Sequence, residues 1–235
     1  MSNPESFADN ESRVFSLLVQ AGFSPRVIYD IGAAQGTWSA LISQIFPAAE
    51  FHMFEPLASL VPAFREGLEW QMQRHPTFTL HPVALGSENK PVAMRIHEDG
   101  YSSTIMNMGE HPEYQQRHNV AGHRLDDFVA DRSLPLPDLV KLDVQGAERE
   151  ILEHASRCLE HAQLVFAETW FVRGYGPDTP LLTELVTLLD KHGFDLAEIG
   201  HRFYDSGHRL YGCDAFFLKR TFLRDFAPSL PPTAW

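Results

Sequence analysis

Cysteine, basic residues and long apolar runs are all scarce in this chain of 235 residues. The two cysteines, Cys158 and Cys213, form no Cys-x-x-Cys pair, which argues against a zinc site or a disulfide framework. Lysine and arginine number 19 against 31 acidic residues, and the net charge of −12 disfavours broad attraction to nucleic acid or an anionic membrane. No segment approaches the roughly 18 apolar residues of a membrane span, and the polar, acidic start does not resemble a secretory signal. We therefore expect a cytoplasmic protein with no nucleic-acid or membrane partner.

The rest of the composition is that of a globular protein, with 44% hydrophobic and 21% charged residues. The length fits one large domain better than two. We expect a single domain over residues 1–235, with an N-terminal helical extension over 1–25 and an irregular, proline-rich tail over 221–235. No internal repeat or low-complexity tract suggests another organisation.

Short apolar strands alternate with amphipathic helices along the chain, which predicts an α/β fold with a mostly parallel sheet and helices on both faces. The predicted strands cover 27–31, 50–56, 77–85, 91–98, 103–108, 137–143, 164–171, 195–200 and 213–220. The predicted helices cover 14–20, 37–46, 57–74, 146–159 and 179–192, and a polar loop covers 109–122. Only a loop separates the last two strands, so we expect them to form an antiparallel hairpin at one edge.

The stretch YDIGAAQG (29–36) places an aspartate and two glycines at the first strand-helix corner. Gly32 and Gly36 permit positive φ angles and leave no Cβ in the way of a ligand. The dinucleotide fingerprint Gly-x-Gly-x-x-Gly is incomplete, because Ala34 stands where its second glycine belongs. Asp30 suits a cationic group, whereas a helix N-terminus favours an anion. S-adenosylmethionine carries both charges and fits this corner better than a pyrophosphate.

Glu55 stands at the end of the second strand, next to this corner in a parallel sheet. A carboxylate there can accept hydrogen bonds from both hydroxyls of a ribose. The corner and Glu55 together predict a nucleoside site at the carboxyl ends of the first two strands.

Three segments, YDIGAAQG, FEP (54–56) and KLDVQGAE (141–148), together resemble the FkbM family of S-adenosylmethionine-dependent methyltransferases. The segments VALGSE, YSSTI and RLDDF follow the family's pattern in the same order, so the resemblance covers roughly residues 27–220. KLDVQGAE is its most specific element. Gln145 departs from the pattern, because many members carry glutamate at this place.

The resemblance implies a class I methyltransferase, Rossmann-like fold, in which a seven-stranded, mostly parallel sheet ends in an antiparallel strand. It also implies S-adenosylmethionine as the cofactor and O-methylation of a hydroxyl on a small molecule, sugar or glycan. The oligomeric state stays open. The residues that we expect at the cofactor are Asp30, Gly32, Ala33, Gly36, Glu55, Pro56, Ala84, Ser103 and Asp143.

Methyl transfer to an alcohol needs a positioned hydroxyl and help in removing its proton. Asp143 ends the strand predicted over 137–143 and is the first candidate base, with Glu168 expected beside it and His201 as a third candidate. Asp143 and Glu168 could instead supply two oxygen ligands to Mg²⁺. Each residue also has a structural interpretation: a helix cap, a paired carboxylate, or one of twelve histidines without ligand spacing.

Lys141 lies on the same face of its strand as Asp143, so an ion pair between them is expected. Trp170, Phe171 and Tyr175 lie at the end of the strand predicted over 164–171 and in the loop after it. They are placed to line an acceptor pocket, where a sugar or flat ring could stack.

Other classes of function stay open. A non-catalytic nucleoside-binding scaffold would keep the same fold, although the intact Asp30, Glu55 and Asp143 argue against it. An NAD-dependent oxidoreductase is disfavoured by the incomplete glycine fingerprint and by the lack of a Tyr-x-x-x-Lys pair. A nucleic-acid methyltransferase is disfavoured by the net charge and by the lack of an Asn/Asp-Pro-Pro-Tyr/Phe motif.

Overall fold

A computed structural model of the chain describes residues 7–114 and 116–226. Its strands are β1 (Val27–Ile31), β2 (Glu50–Phe54), β3 (Phe78–His81), β4 (Ala84–Leu85), β5 (Val92–Ile96), β6 (Gln116–Val120), β7 (Gly122–His123), β8 (Leu139–Leu142), β9 (Leu164–Trp170), β10 (Phe194–Tyr204) and β11 (Leu210–Lys219). Its helices are α1 (Phe7–Gln20), α2 (Thr37–Ser43), α3 (Pro62–Arg74), α4 (Leu125–Asp131), α5 (Glu148–Leu152), α6 (Ser156–His161), α7 (Leu182–Lys191) and α8 (Arg220–Phe226), with a 3-10 turn at Pro56–Ser59. Of the helices in these described ranges, none combines the length and apolar character needed to cross a membrane.

Seven of the strands form one sheet in the order β10–β11–β9–β8–β1–β2–β3. β11 runs antiparallel to both of its neighbours, and the other neighbouring pairs are parallel. The prediction of a mostly parallel sheet with an antiparallel last strand is therefore confirmed. Two small sheets, β4 with β7 and β5 with β6, accompany it.

The main sheet buries an apolar layer on each face. Because successive side chains of a strand point to opposite faces, Tyr29 and Val140 belong to one layer, whereas Ile28 and Leu139 belong to the other. Helices α4, α5, α6 and α7 contribute to the first layer, and α1, α2, α3 and α8 contribute to the second. The predicted helices on both faces are thus confirmed.

The second face changes from apolar to charged near the carboxyl ends of the central strands. Helix α1 covers this region, and the side chain of Glu11 is buried there. We call these groups the charged layer; its members are Glu11, Asp30, Lys141, Glu168 and, from the antiparallel β11, Asp214. Ligands of parallel sheets bind at this end of the strands, so the layer adjoins the expected site.

Helix boundaries differ from the predictions where a polar residue or a proline interrupts the pattern. α1 begins at Phe7 instead of residue 14, because Glu11 occupies a buried position where the pattern needs an apolar side chain. The helix predicted over 57–74 is a 3-10 turn followed by α3, since Pro62 cannot donate the backbone hydrogen bond that would continue one helix.

The helix predicted over 146–159 is two short helices, α5 and α6. The carboxylate of Asp126, which belongs to α4, accepts hydrogen bonds from the backbone N–H groups of Arg157 (2.8 Å) and Cys158 (3.1 Å). Asp126 therefore caps a new helix start from a distant part of the chain. The sequence analysis did not predict α4, so this cap was not foreseen.

The connection between β4 and α4 was also predicted incorrectly. The segment 103–108 forms no strand, and within it only Thr104 makes a bridge, to Arg95. The predicted loop 109–122 instead contains β6, which pairs antiparallel with β5. Its residues are largely exposed, so it lacks the apolar alternation that marks a half-buried strand.

Three further boundaries are corrected. The strand predicted over 77–85 is interrupted at Pro82 between β3 and β4. β10 and β11 are longer than expected, so His201 lies within β10 instead of after it. Residues 221–226 are helical instead of irregular, and the predicted tail over 227–235 lies outside the described residues.

Two histidines stack near the edge of the main sheet. His52 Nδ1 and His81 Nε2 lie 3.0 Å apart, and the two rings are parallel to within 7°. Burial lowers the pKa of His52, and burial together with the neighbouring His52 lowers the pKa of His81 to about 4. The unfolded chain binds these protons near pH 6.5. The pair therefore contributes stability that is complete above about pH 6.5 and is lost as the pH falls.

Between pH 7.5 and pH 5 we expect the wild-type protein to lose about 2 kcal/mol more free energy of unfolding than the His81→Gln variant. Urea denaturation at each pH measures both proteins, and carboxyl groups common to both cancel in the difference. His208→Gln, which changes an exposed histidine, should follow the wild type. Parallel pH curves for wild type and His81→Gln would contradict the assignment.

Candidate functional site

The turn after β1 brings bare backbone against the end of β8. Gly32 has a φ of +80°, and a Cβ at this position would lie 1.8 Å from the carbonyl oxygen of Asp143. The N–H groups of Gly32 and Ala33 both donate to the carbonyl of Phe54, at 2.9 and 3.2 Å. Any side chain at residue 32 would collide with backbone, so only glycine fits.

A cleft opens beside this turn, at the carboxyl ends of β1, β2 and β8. Apolar side chains, among them Leu57, Phe64 and Val83, line part of it. The lining includes six of the residues expected at a cofactor: Gly32, Glu55, Pro56, Ala84, Ser103 and Asp143. The other three do not line it: Asp30 and Ala33 are buried in the second face, and Gly36 precedes α2 as its N-cap residue.

Glu55 presents a buried carboxyl group to the cleft. Its Oε2 accepts a hydrogen bond from the N–H of Ala34 (2.8 Å), and its Oε1 accepts one from the N–H of Leu57 (2.9 Å). Burial raises the pKa of Glu55 to about 7, although both backbone donors oppose the rise. Each carboxylate oxygen can accept a second hydrogen bond, so the group can receive a pair of ligand hydroxyls.

Asp30 lies beneath the turn, where its partners are protein groups. Its Oδ1 lies 2.9 Å from Lys141 Nζ, and its Oδ2 accepts a hydrogen bond from Ser39 Oγ (2.7 Å). Lys141 Nζ also donates to the carbonyl of Gly32 (2.8 Å) and lies 3.7 Å from Asp143 Oδ2. Lys141 thus pairs more closely with Asp30 than with the expected Asp143. Asp30 supports the turn through Lys141, and its contact with a cofactor stays a prediction.

The side chain of Gln145 brings Asp143 and Glu168 together. Gln145 Nε2 donates to Asp143 Oδ1 (2.7 Å) and to Glu168 Oε2 (2.9 Å), and the Tyr175 hydroxyl donates to Gln145 Oε1. The side chain of Asp143 is 43% exposed, so one candidate base is open to an incoming hydroxyl. Glu168 is less exposed and lies behind the amide.

Two further carboxyl groups lie near Glu168, from β11 and α5, and a third, Glu11 of α1, lies near Asp214 and Asp143. Burial, followed by the nearby Asp143, Glu148 and Asp214, raises the pKa of Glu168 well above its usual range. Burial and the nearby Asp143 also raise the pKa of Asp214 well above its usual range. Burial and the nearby Asp214 raise the pKa of Glu11 to about 9. Burial also raises the pKa of Glu148 to about 7. Burial and mutual repulsion therefore make each of these four carboxyl groups harder to ionise than an exposed one.

Sequence patterns did not predict Glu11, Asp214 or the hydroxyl contact of Tyr175. Glu11 stands four residues before Phe15, and this spacing on one helix face was the available signal. Asp214 interrupts an otherwise apolar strand, which is a signal of the same kind. The contact of Tyr175 with Gln145 spans 30 residues, and no local pattern encodes it.

His201 is not brought to the other candidate bases. It lies on the edge strand β10, and β11 and β9 separate that strand from β8. With neighbouring strands about 4.8 Å apart, roughly three strand spacings separate the backbone of β10 from that of β8. The His201 ring packs against Phe203.

Asp143 and Glu168 do not flank an open position that a shared Mg²⁺ would need. The amide nitrogen of Gln145 lies between them and donates to both. Within the described part of the chain, no three or more His, Cys, Asp and Glu side chains are grouped to hold a metal ion. The amide contact therefore argues against the Mg²⁺ expected at this pair.

Aromatic side chains stand beside these carboxyl groups. Tyr211 stacks on Trp170 with ring centroids 5.9 Å apart, and Tyr175 meets the same indole edge-on at 5.2 Å. The ring centroids of Phe203 and Trp170 are 6.5 Å apart. We call these four residues the aromatic wall. Phe171, which was also expected at an acceptor pocket, is 39% exposed.

A sequence profile of the methyltransferase FkbM domain matches residues 30–196. The chain is 28% identical over 204 residues to the AMB antimetabolite synthetase AmbE of Pseudomonas aeruginosa, covering 73% of this chain and 10% of that protein. It is 28% identical over 155 residues to the 2-O-methyltransferase NoeI of Sinorhizobium fredii, covering 60% of this chain and 62% of that protein. The chain thus spans less than two thirds of either relative.

Solved structures share the fold. The methyltransferase FkbM from Methylobacillus flagellatus KT matches with a TM-score of 0.51 at 17% identity, over 82% of this chain and 43% of that one. The magnesium protoporphyrin IX methyltransferase ChlM from Synechocystis PCC 6803, crystallised with bound SAM, matches with a TM-score of 0.50 at 14% identity, over 93% and 86%. These likenesses confirm the predicted class I methyltransferase fold.

Proposed function

Because the chain belongs to the FkbM family of S-adenosylmethionine-dependent methyltransferases, we propose that it methylates a hydroxyl group of a sugar or glycan. The observation that carries this proposal is a single cleft that Glu55 and Asp143 both line. The Asp143–Gln145–Glu168 contacts and the aromatic wall lie beside this cleft. This arrangement combines a nucleoside site with an adjoining site for an acceptor.

The cleft residues fit S-adenosylmethionine. Gly32 leaves the turn bare because a side chain there would meet the Asp143 carbonyl. Glu55 would accept hydrogen bonds from the ribose hydroxyls, and the apolar lining around Val83 would enclose the adenine. Asp143 would attract the positive end of the molecule.

Asp143 is the group best placed to remove the acceptor's proton. When bound, S-adenosylmethionine would supply a methyl group attached to a positively charged sulfur. The C–S bond would break as the C–O bond to the hydroxyl oxygen forms, and its electron pair would stay on the sulfur. Asp143 takes the hydroxyl proton and passes it to water, and Glu168 supports Asp143 through Gln145. Such a base contributes roughly 10²–10⁴-fold, and positioning supplies much of the remainder.

The aromatic wall supports a ring-shaped acceptor. The C–H face of a sugar packs well against indole and phenol rings, while its hydroxyls reach polar groups at their edges. The similarity to NoeI, whose name describes 2-O-methylation, supports a hydroxyl as the methylated group. Trp170 itself is buried, so we place the acceptor ring against the half-buried rings of the wall, Tyr175, Phe203 and Tyr211, with one hydroxyl directed toward Asp143.

In calorimetric titration we expect S-adenosylmethionine to bind the wild-type protein and to bind Glu55→Ala about 10- to 100-fold more weakly. The loss follows from removing hydrogen bonds to a charged group, which contribute about 1.5–3 kcal/mol. Glu50→Ala is the matched control, because Glu50 is exposed at the other end of the same strand, and it should bind as the wild type does. A folded protein that binds no S-adenosylmethionine refutes the proposal, and binding of NAD⁺ instead supports an oxidoreductase.

Turnover separates an enzyme from a nucleoside-binding scaffold. Incubation with S-adenosylmethionine and a panel of mono- and oligosaccharides should release S-adenosylhomocysteine and form a methyl ether, identified by mass spectrometry and NMR. A product methylated on nitrogen or carbon would overturn the assignment to a hydroxyl. Binding without turnover across hydroxyl, amine and carbon acceptors would favour the scaffold.

A further inference from the structure

Gln145 joins the two candidate catalytic carboxyl groups through a single amide. Its Nε2 directs one hydrogen to Asp143 and the other to Glu168, at 2.7 and 2.9 Å. The Tyr175 hydroxyl donates to the amide oxygen, so a flipped amide would lose all three contacts. The donor end of the side chain therefore faces the carboxyl groups, and the acceptor end faces Tyr175.

The backbone also holds Gln145 in an unusual conformation. Its φ is +54°, in the left-handed region, and that of the following Gly146 is +99°. A left-handed conformation is unfavourable for a non-glycine residue, because its Cβ approaches the following carbonyl oxygen. The carbonyl of Gln145 accepts a hydrogen bond from Thr104 Oγ1 (2.7 Å), and the N–H of Gly146 donates to Glu148 Oε1 (3.2 Å). Contacts on both sides thus maintain a strained residue whose side chain lies at the candidate site.

We propose that Gln145 is a positioning residue for proton transfer: its amide fixes Asp143 Oδ1 and ties that carboxylate to Glu168, leaving Oδ2 for the acceptor hydroxyl. This role rests on the proposed methyl transfer. An amide donates to both carboxyl groups, whereas a carboxylate at residue 145 would add a like charge beside them.

The electrostatic surroundings make the two amide hydrogens important. Six titratable groups face Asp143 or Glu168. They are Lys141 of β8, Glu148 of α5, Tyr211 and Asp214 of β11, Glu11 of α1, and Tyr175 of the loop after β9. Among these, Lys141 supplies positive charge but makes its closest ion pair with Asp30. Hydrogen bonds from Gln145 thus stabilise negative charge in a largely acidic neighbourhood.

The test is a titration of the Glu168 side-chain carboxyl by ¹³C NMR, on protein without cofactor or acceptor. In Gln145→Leu the midpoint should move upward by about 1 pH unit or more, because the carboxylate loses a donor. In Gln145→Glu it should move further upward. Gln163→Leu is the control, since Gln163 is exposed just before the same strand, and its midpoint should equal that of the wild type.

A second variant covers failure of Gln145→Leu to fold. Asparagine tolerates the left-handed conformation well but its shorter amide cannot span both carboxyl groups, so Gln145→Asn should give an intermediate upward shift. Unchanged midpoints in folded Leu and Asn variants would overturn the role of Gln145. This outcome is separate from failure of the proposed function, which the absence of S-adenosylmethionine binding to the wild type would show.

Discussion

Replacing Gly32 with alanine is expected to lower the free energy of unfolding by at least about 3 kcal/mol. The new Cβ would lie 1.8 Å from the Asp143 carbonyl oxygen and would sit on a residue with a φ of +80°. Relief requires β1 and β8 to separate, although the N–H of Asp143 donates to the carbonyl of Ile31 at 3.0 Å. Urea denaturation monitored by tryptophan fluorescence would measure the loss.

Gly109→Ala isolates the contribution of the backbone angle. Gly109 has a φ of +75° and no neighbour within 4 Å of an added Cβ, so this variant should lose only about 1 kcal/mol. If both variants lost the same free energy of unfolding, the close approach of the added Cβ to the Asp143 carbonyl would contribute nothing to the destabilisation. The Gly32→Ala protein, where it still folds, should also bind S-adenosylmethionine more weakly than Gly109→Ala does.

Lys141→Met is expected to lower the free energy of unfolding by roughly 3–5 kcal/mol. The substitution leaves Asp30, whose side chain is fully buried, without its ion-pair partner. Burial by itself would lower the pKa of Lys141, but Asp30 and Asp143 outweigh it and raise the pKa. The ammonium is therefore charged in the folded protein, and its removal leaves uncompensated negative charge in the charged layer. Urea denaturation at pH 7.5 would measure the effect.

Two comparisons test the origin of that loss. Lys90→Met removes a lysine that pairs with Glu88 at the surface, where its side chain is 67% exposed, and should cost less than about 1 kcal/mol. The double variant Asp30→Asn/Lys141→Met should regain part of the stability, because a neutral amide costs less to bury than a carboxylate. A double variant no more stable than Lys141→Met would show that the unpaired charge is not the cause.

Of the proposed site, the part assigned to the cofactor was the more predictable half. Gly32 and Glu55 belong to short local patterns, a strand followed by a turn and the end of the next strand, and local sequence encodes both. The sheet direction followed equally from alternating strands and helices and from the short connection between β10 and β11. These features depend on residues close together in the chain.

The buried contacts beneath the site could not be predicted in the same way, because they depend on register between distant segments. Asp30 meets Lys141 since β1 and β8 pair with these two residues side by side, and neither strand's own sequence fixes that register. The interruption between α5 and α6 has the same origin, because Asp126 caps α6 from another helix. Glu11 shows a further limit: a buried carboxyl on an amphipathic helix resembles a solvent-exposed residue in sequence.

The alternation of side chains across the sheet also separates two tasks for protein engineering. The apolar layer beneath α6 and α7 contains residues such as Leu159 and Leu185, whose replacements are constrained mainly by volume. On the opposite face each change at the strand ends alters the charge experienced by its neighbours. A mutant library selected for thermal robustness therefore belongs beneath α6 and α7. A library that tests the proposed acceptor site belongs on the half-buried rings of the aromatic wall, Tyr175, Phe203 and Tyr211.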